Sequence, residues 1–417
     1  MGIDYANGWD VVVAATFTNI DRLLALAWEQ NVTPHQGSGT FSVTVGPATI
    51  PAVVSGAQMG AWTMTGGTGQ NVVVPVPFTG GTATIGTNHY ELAGMVLNVT
   101  LLLRAVRSSV DGGSFQLTIT LADPSAVVAV GLANPPPGLT AADLDVLNIT
   151  LRNLLQATAG TAVPVATLPL GQLSAFPWLV PSVVEYAAET SAGIAGGGAL
   201  AMLLATTHPP PGAPPTLLDG TIPPGCDGAL IVSNDIFARR FLAPAVASSL
   251  GVDVGQMTFG GGTPTSVLFS GEASTGGGTI TSATATAEND SIALVLQGNA
   301  SPTSGVTVDF TINATYGLAL GGTPAQPVLS FQRTSQTESH STDVAWWVYV
   351  VSGLTGGAVG MLVVTVIQQV VDHAAGNQLS GSMPAGFTSS ITWPFSGTIA
   401  ITRALLPLPL QLGGTVA

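Results

Sequence analysis

The chain has 417 residues and a net charge of −14, with 22 acidic residues against eight arginines and no lysine. This balance disfavours binding to a nucleic-acid backbone and electrostatic adsorption to anionic lipid, both of which require clustered cations. Only 7% of the residues are charged, where globular domains usually carry about 25%. Any contact with a lipid would therefore have to be mainly apolar.

The first strand and helix are predicted near the N-terminus. An apolar strand is predicted directly after the acidic Asp10, and Thr18 and Asn19 can cap the helix that follows. Leu23 and Leu24 lie on the apolar face of that helix. Asp4 and Asp10 interrupt the N-terminus and no basic segment precedes an apolar core, so we expect no signal peptide. The expectation is a protein that is cytoplasmic at synthesis, with release by a non-classical route left open.

A series of short strands is expected after this helix, separated by turns rich in glycine and proline. The predicted strands are 41–45, 53–64, 72–78, 81–85, 92–106, 115–121 and 127–132. The pair 92–106 and 115–121 is predicted as a hairpin across an Asp-Gly turn. A helix with an apolar stripe follows at 144–155, and Thr140 with Asp143 predicts its capped start.

A proline-rich segment at residues 208–225 separates the two halves of the chain. Prolines exclude this segment from the interior of a sheet and make it a semi-stiff spacer. We therefore predict a first half at 1–222 and a second half at 223–417. Two domains also suit a chain of this length.

The second half begins as the first does. The apolar run 229–232 is followed by Ser233 as a helix cap and by Phe237, Phe241 and Val246 on one helical face, with a kink expected at Pro244. Two such openings predict an internal duplication. Strands follow at 267–271, 278–287, 292–296, 306–314 and 328–334, and then an apolar helix at 354–374. This last helix is too short in its apolar part to span a membrane.

The two openings resemble a known family. The sequences NGWDVVVAATFTNIDRLLALAWEQ (7–30) and ALIVSNDIFARRFLAPAV (229–246) are similar to the OrfX and forty-seven-kilodalton proteins encoded beside botulinum neurotoxin genes, which belong to the tubular lipid-binding (TULIP) superfamily. The resemblance implies an elongated α+β fold in two pseudo-repeated halves, each with long twisted antiparallel sheets wrapped around a long apolar helix. It also implies a bacterial accessory protein of a toxin or virulence gene cluster, with other cluster proteins as partners.

The sequence contains no catalytic motif that we recognise, such as a nucleophile elbow, a zinc-binding helix or a P-loop. The five histidines are scattered, and the single cysteine, Cys226, cannot form an intramolecular disulfide or a thiolate metal site. We therefore expect no enzyme activity, no cofactor and no metal. The function expected instead is binding or sequestration of a lipid or another hydrophobic ligand in a groove between helix and sheet.

The groove is predicted from apolar residues on the helices of both halves. Its predicted lining comprises Leu23, Leu24, Phe237, Phe241, Val246, Leu362, Val363, Val366 and Ile367. The same residues would also suit plain core packing, and this leaves a second hypothesis. In that alternative the protein is a structural or assembly subunit with a filled core, and it acts through protein–protein contacts. An outer-membrane barrel is disfavoured by the absence of a signal peptide and by the long helices.

Overall fold

The opening strand and helix form as the sequence predicts. A computed structural model of the chain describes residues 4–108, 113–136, 138–158, 162–170, 177–260, 265–275, 278–288, 290–303, 306–323, 326–344, 378–379, 399–406 and 409–416. Strand β1 (Val11–Thr16) is buried along its whole length, and helix α1 (Phe17–Glu29) follows it directly. The predicted cap at Thr18 and Asn19 is wrong: the helix begins earlier, at Phe17, and Thr16 occupies the N-cap position without a side-chain hydrogen bond to the helix.

The described residues divide into two compact units. One unit comprises residues 11–230, 387–400 and 413–417, and we call it the β1 unit. The other comprises residues 1–10, 231–386 and 401–412, and we call it the aromatic unit. The division at residues 222 and 223 that the sequence predicts stays a prediction.

The β1 unit is built mainly from antiparallel strands. After α1 its elements are β2 (Gln36–Val45), β3 (Ala48–Met59), β4 (Gly66–Gly69), β5 (Asn71–Ile85), β6 (Asn88–Glu91), β7 (Val96–Leu102), β8 (Arg104–Ser108), β9 (Ser114–Ile119), β10 (Val127–Leu132), α2 (Ala141–Thr158), β11 (Val163–Pro169), β12 (Val183–Thr190), β13 (Gly198–Ala205) and β14 (Gly228–Val232). The predicted hairpin of 92–106 and 115–121 forms only in part: Arg104–Ser108 pairs with residues 114–118, whereas Val96–Leu102 pairs with β5 and β10. No helix or strand forms in the proline-rich segment between β13 and β14.

Two sheets organise this unit. In the larger sheet the strands follow the order β10-β7-β5-β4-β12-β13-β1-β14, and β3 and β6 pair with the far part of β5. A separate three-stranded sheet has the order β11-β9-β8, so that β8 is its edge strand. The capped start of α2 is confirmed, because the backbone N–H of Asp143 donates to Thr140 Oγ1 at 3.1 Å. The helix then buries one face against β2, β3 and β10.

The aromatic unit contains a seven-stranded antiparallel sheet. Its elements are α3 (Asn234–Phe237), a π-helical turn (Ala238–Leu242), α4 (Ala243–Leu250), β15 (Met257–Phe259), β16 (Ser266–Ser274), β17 (Thr279–Glu288), β18 (Ser291–Thr303), β19 (Val306–Thr323), β20 (Gln326–Val344) and β21 (Gln378–Leu379). Strands β15 to β21 pair in chain order. Nearer the C-terminus, β22 (Ile399–Leu405) and β23 (Leu410–Val416) pair with each other.

The repeated strand-and-helix opening is confirmed, and its irregularity takes a specific form. Ser233 caps α3 by accepting a hydrogen bond from the N–H of Ile236 at 3.4 Å. The helix then widens into the π turn just before Pro244. Proline cannot donate to the carbonyl one turn earlier, so an interruption of the regular ladder at this point has a physical cause.

The predicted α+β architecture, with long sheets wrapped around a long apolar helix in each half, is wrong. The described residues contain 23 strands and four α-helical segments, and large antiparallel sheets dominate. The longest described helix, α2, buries only one face, and it lies on a sheet rather than inside one. Its exposed positions are Ala141, Ala142, Asp145 and Ala157, none of which is a large apolar residue, so its sequence suits a surface layer. The predicted helix at 354–374 lies outside the described residues.

A matched pair of substitutions tests the buried face of the seven-stranded sheet. Val267 on β16 is 0% exposed, whereas Val254, in the same unit, is 43% exposed. Val267→Ala should lower the free energy of unfolding by about 2 kcal/mol, because it removes buried methyl groups and leaves a cavity. Val254→Ala should change it by less than about 0.5 kcal/mol. Urea unfolding measures both, and equal effects would contradict this assignment of the core face.

Candidate functional site

The predicted groove residues that the structure describes are all buried. Leu23 and Leu24 lie on α1 and are 3% and 1% exposed. In the aromatic unit, Phe237, Phe241 and Val246 are 1%, 3% and 0% exposed. Their surfaces are covered by protein atoms, which is the packing expected of a core residue. The other predicted lining residues, Leu362, Val363, Val366 and Ile367, lie outside the described residues, and their role stays a prediction.

The aromatic residues of the second opening pack against one another. The Phe237 and Phe241 rings stack with centroids 6.0 Å apart, and Phe331 of β20 meets Phe237 edge-on at 6.1 Å. Both arrangements fall in the range that aromatic pairs favour. We call these three residues the phenylalanine cluster. It joins the helical opening to the sheet of its own unit.

An ion pair closes the outer side of this helix. The Nε–H of Arg239 donates to both carboxylate oxygens of Asp235, at 2.8 and 2.9 Å, and the central guanidinium carbon lies 4.3 Å from the ring centroid of Phe259. This charge-assisted bond, shared between the two oxygens, and the cation–π contact together hold the arginine in place. Arg239 therefore orients the start of the helix.

A cleft in the β1 unit was not predicted from the sequence. It has a volume of about 510 Å³ and is open to solvent. Its walls are the edge strand β8, at Arg104–Arg107, and the first half of β12, at Val184–Tyr186; Gln70 and Leu103 complete the lining. The signal that could have found it is the pair Arg104 and Arg107, because two of only eight cations stand on one short strand.

Tyr186 holds the two walls of this cleft together. Its hydroxyl accepts a hydrogen bond from the backbone N–H of Leu103 at 2.7 Å and donates one to the carbonyl oxygen of Gln70, also at 2.7 Å. Burial raises the pKa of Tyr186 to about 12, although the N–H of Leu103 acts in the opposite direction. The phenol is therefore neutral at physiological pH and serves as a fixed structural link.

The two arginines of the cleft have different surroundings. Arg104 forms an ion pair with Asp123 and also contacts the hydroxyl of Ser125. Two hydrogen bonds from Ser125 hold the pKa of Asp123 below its usual value, and Arg104 adds to this effect. Arg107 instead lies 5.6 Å from the ring centroid of Phe115. Among the described residues no carboxylate forms an ion pair with Arg107, and its side chain is exposed to solvent.

A smaller cleft of about 280 Å³ lies on the seven-stranded sheet. It is lined by Asp309, Phe310 and Thr311 of β19 and by Ser339 and Ser341 of β20. These are neighbouring positions of one paired ladder, where Asp309 stands opposite Ser341 and Thr311 opposite Ser339. It is therefore a shallow surface between paired strands.

Metal-ligating side chains do not gather into a group of three or more within the described parts of the chain. His35 stacks on Trp28 with ring centroids 4.5 Å apart, and its Nε2 lies 2.6 Å from the Trp28 carbonyl oxygen. His89 bonds through Nδ1 to Thr84 Oγ1 at 2.8 Å. Both histidines are thus held by local structural contacts. No helix in the described residues is long and apolar enough to span a membrane.

The fold places this chain in the class of large, mainly antiparallel β proteins. A family model described as OrfX-like, "Protein OrfX2/OrfX3/P47", matches residues 6–380. The chain therefore belongs to the OrfX-like family, which confirms the resemblance seen at its two openings. No curated protein sequence matches it significantly.

Two solved structures share this fold. P47 from Clostridium botulinum A2 and P47 of Clostridium botulinum E1 each match with a TM-score of 0.76, at 14% and 12% sequence identity. The matches cover 98% of this chain and 98% and 99% of those chains. A lipopolysaccharide binding protein also aligns, at 13% identity over 98% of this chain and 99% of its own, but with a TM-score of 0.29. That score is too low to compare folds, so the wider TULIP relationship stays a prediction.

The link through Tyr186 is testable by removal of one oxygen atom. Tyr186→Phe leaves the Leu103 N–H and the Gln70 carbonyl without their partner, and should lower the free energy of unfolding by about 1–3 kcal/mol. Tyr90→Phe is the matched control, because the Tyr90 hydroxyl donates to Asp143 at 2.9 Å from a more exposed position. Its effect should be smaller. Urea unfolding at neutral pH measures both, and a larger loss in the control would contradict the structural role of Tyr186.

The same residue should make stability depend on alkaline pH. The pKa of Tyr186 is about 12 in the folded protein, against an ordinary value of 10.0. Between these values only the unfolded chain releases the proton, so the free energy of unfolding should fall as the pH rises through this window. Tyr186→Phe should show a weaker fall, although Tyr316, with a pKa also raised to about 12 by burial, will contribute in both proteins. Unfolding curves recorded from neutral to alkaline pH measure the difference, and identical pH profiles would contradict the assignment.

Proposed function

We propose that this protein is an accessory subunit of a toxin-type gene cluster and that it acts through contacts with other proteins. Its membership of the OrfX-like family supports the accessory role. The observation that favours protein contacts is the packing of the predicted groove. Each described groove residue is at most 3% exposed, and the phenylalanine cluster packs the helical opening against the sheet of its own unit. Surfaces of this kind stabilise the unit and leave recognition to its exterior.

The exterior offers features suited to protein recognition. Val106 on β8 is 45% exposed and Val128 on β10 is 54% exposed, and both are large apolar residues. The outer faces of the strands carry many Thr and Ser hydroxyls, which can exchange hydrogen bonds with a partner instead of with water. A chain of net charge −14 also has an electrostatic field that selects among its partners.

The second candidate is binding of a lipid or another hydrophobic ligand between helix and sheet. It is favoured by the apolar core of the aromatic unit, where the buried side chains of α4 and of the sheet are nearly all aliphatic or aromatic. Transfer of an acyl chain into such a groove would gain roughly 25 cal/mol per Å² of buried surface. Four of the predicted lining residues lie outside the described residues, so this candidate depends on them.

Purification of the protein from its native host or a recombinant host distinguishes the two candidates. We expect native mass spectrometry and organic extraction to recover no stoichiometric lipid, and palmitate or phosphatidylcholine vesicles to leave the melting temperature unchanged. Co-expression with the products of the adjacent genes should give a stable complex on size-exclusion chromatography with light scattering. Recovery of one lipid per chain, together with a thermal shift and no complex, would overturn the leading proposal.

A substitution in the phenylalanine cluster sharpens the same distinction. Phe241→Ala should lower the free energy of unfolding by about 3–5 kcal/mol, as expected for truncation of a packed core aromatic. It should leave the affinity for a protein partner unchanged under conditions where it remains folded. Val254→Ala, at an exposed position of the same unit, is the control. If Phe241→Ala instead changed the amount of lipid recovered with little loss of stability, the lipid-binding candidate would be favoured.

A further inference from the structure

The edge strand β8 has an open hydrogen-bonding edge, and the pairing of its neighbour shows which residues face it. Pro164 and Pro169 of β11 stand opposite Thr118 and Ser114 of β9. Proline has no N–H, so these two positions of β9 do not exchange ladder bonds with β11. Their backbone groups must point the other way, toward β8. Consistently, the N–H of Leu170 donates to the carbonyl oxygen of Gly113 at 3.0 Å. Gly113 directly precedes Ser114, so the residue that bonds toward β11 is the neighbour of Ser114 and not Ser114 itself.

The same alternation determines which backbone groups of β8 bond to β9 and which point away from it. Thr118 and Ser114 pair with Arg104 and Ser108, so alternate residues from Arg104 onward bond to β9. The residues between them, Ala105 and Arg107, therefore direct their N–H and C=O groups away from β9. Leu103 lies in the same phase, and its N–H does point into the cleft, where it bonds to Tyr186. In the described structure no strand pairs with β8 on that side.

The opposite wall of the cleft is a second incompletely paired edge. Strand β12 pairs with β13 along its whole length, but on its other edge it meets β4 only at Ala188 and Glu189. Its first half, Val184–Tyr186, lines the cleft without a partner strand on that side. The cleft is thus a slot between two strand edges, and Tyr186 bridges it at one end. Such edges are templates for the addition of another strand.

The side chains of the slot indicate the chemistry of the occupant. Arg107 offers an exposed guanidinium with no carboxylate partner among the described residues, and Val106 beside it offers an exposed apolar side chain. A second copy of this chain fits poorly, because pairing of two β8 edges would bring the arginines of both copies together. The opposite wall carries Glu185, which also lines the slot. The positive charge of the slot therefore lies on the β8 side.

We propose that this slot binds an extended acidic segment of a partner protein, which adds as a strand to the free edge of β8 and sets a carboxylate against Arg107. The proposal rests on the proposed role in protein assembly and gives that role a surface. Backbone hydrogen bonds to Ala105 and Arg107 supply affinity, and the charge pair and the contact with Val106 select the sequence. A cation on the edge strand attracts a carboxylate on an added strand and repels a second cation, so an acidic strand should be preferred to a basic one.

A blocked seven-residue peptide of alternating valine and aspartate provides the probe. It should bind the intact protein in a fluorescence-anisotropy titration, whereas the matched peptide with lysine in place of aspartate should bind at least tenfold more weakly. Arg107→Glu should weaken the acidic peptide at least tenfold. Arg240→Glu, which makes the same change in net charge in the aromatic unit, should have little effect. Absence of binding by the acidic peptide, or equal binding of the two peptides, would overturn the proposal.

Two proline substitutions test the geometry of the edge. Ala105→Pro should abolish peptide binding and retain the fold, because the lost N–H points into the slot. Val106→Pro should destabilise the protein, because it removes a ladder bond to β9. Hydrogen exchange gives a readout that needs no variant, since the peptide should protect the amides of Ala105 and Arg107. If the peptide binds without that protection, or if Ala105→Pro folds and still binds, strand addition at this edge is wrong.

Comparison with the co-expressed complex separates this proposal from the proposed function. If the adjacent gene products form a complex that Arg107→Glu and Ala105→Pro leave intact, the assembly role stands and the slot is not its surface. If the acidic peptide binds as described but no complex forms, the slot stands and the assembly role fails. If both variants abolish both interactions, the slot is the assembly surface.

Discussion

Burial of at least one face of most strands is the constraint on which the rest of this structure depends. With so few charged residues, the chain cannot separate inside from outside by charge. It alternates apolar side chains with Thr, Ser and Asn, and the strand period of two sends the first set inward and the second outward. Strand β19 shows this in the series Val306, Val308, Phe310, Ile312 and Ala314, all buried, with polar residues between them.

The same constraint explains where the regular pattern is interrupted. On β17, Ile280 and Ala283 are both buried although they are three residues apart, because the register shifts at Thr281. A bulge inserts one extra residue and so keeps both side chains on the covered face. Strands β1 and β13 do not alternate between buried and exposed residues, because all of their residues are buried. Central strands covered on both faces require continuous apolar runs.

The β8 slot arises where this system of pairing is incomplete. A short three-stranded sheet ends at β8, while the main sheet leaves one edge of the first half of β12 without a partner strand, and one tyrosine spans the two edges. A closed sheet would satisfy these backbone groups internally. Here they remain available to a partner at a position marked by two of the chain's few cations. An accessory protein with a filled core would need an exterior feature of this kind for recognition.

The sequence by itself determined the local elements: the two strand-and-helix openings, the cap at Ser233, the start of α2 at Thr140, and the hairpin of β8 and β9. These depend on neighbouring residues, through capping, periodicity and turn chemistry, so a linear reading can find them. The sequence also identified the family from its two openings. Only the tertiary structure decided that α2 lies on a sheet, that Phe331 completes the cluster begun by Phe237, and that Arg107 faces the edge of β12. Those relations join residues far apart in the chain, and an apolar periodicity indicates which face is buried but does not indicate what covers it.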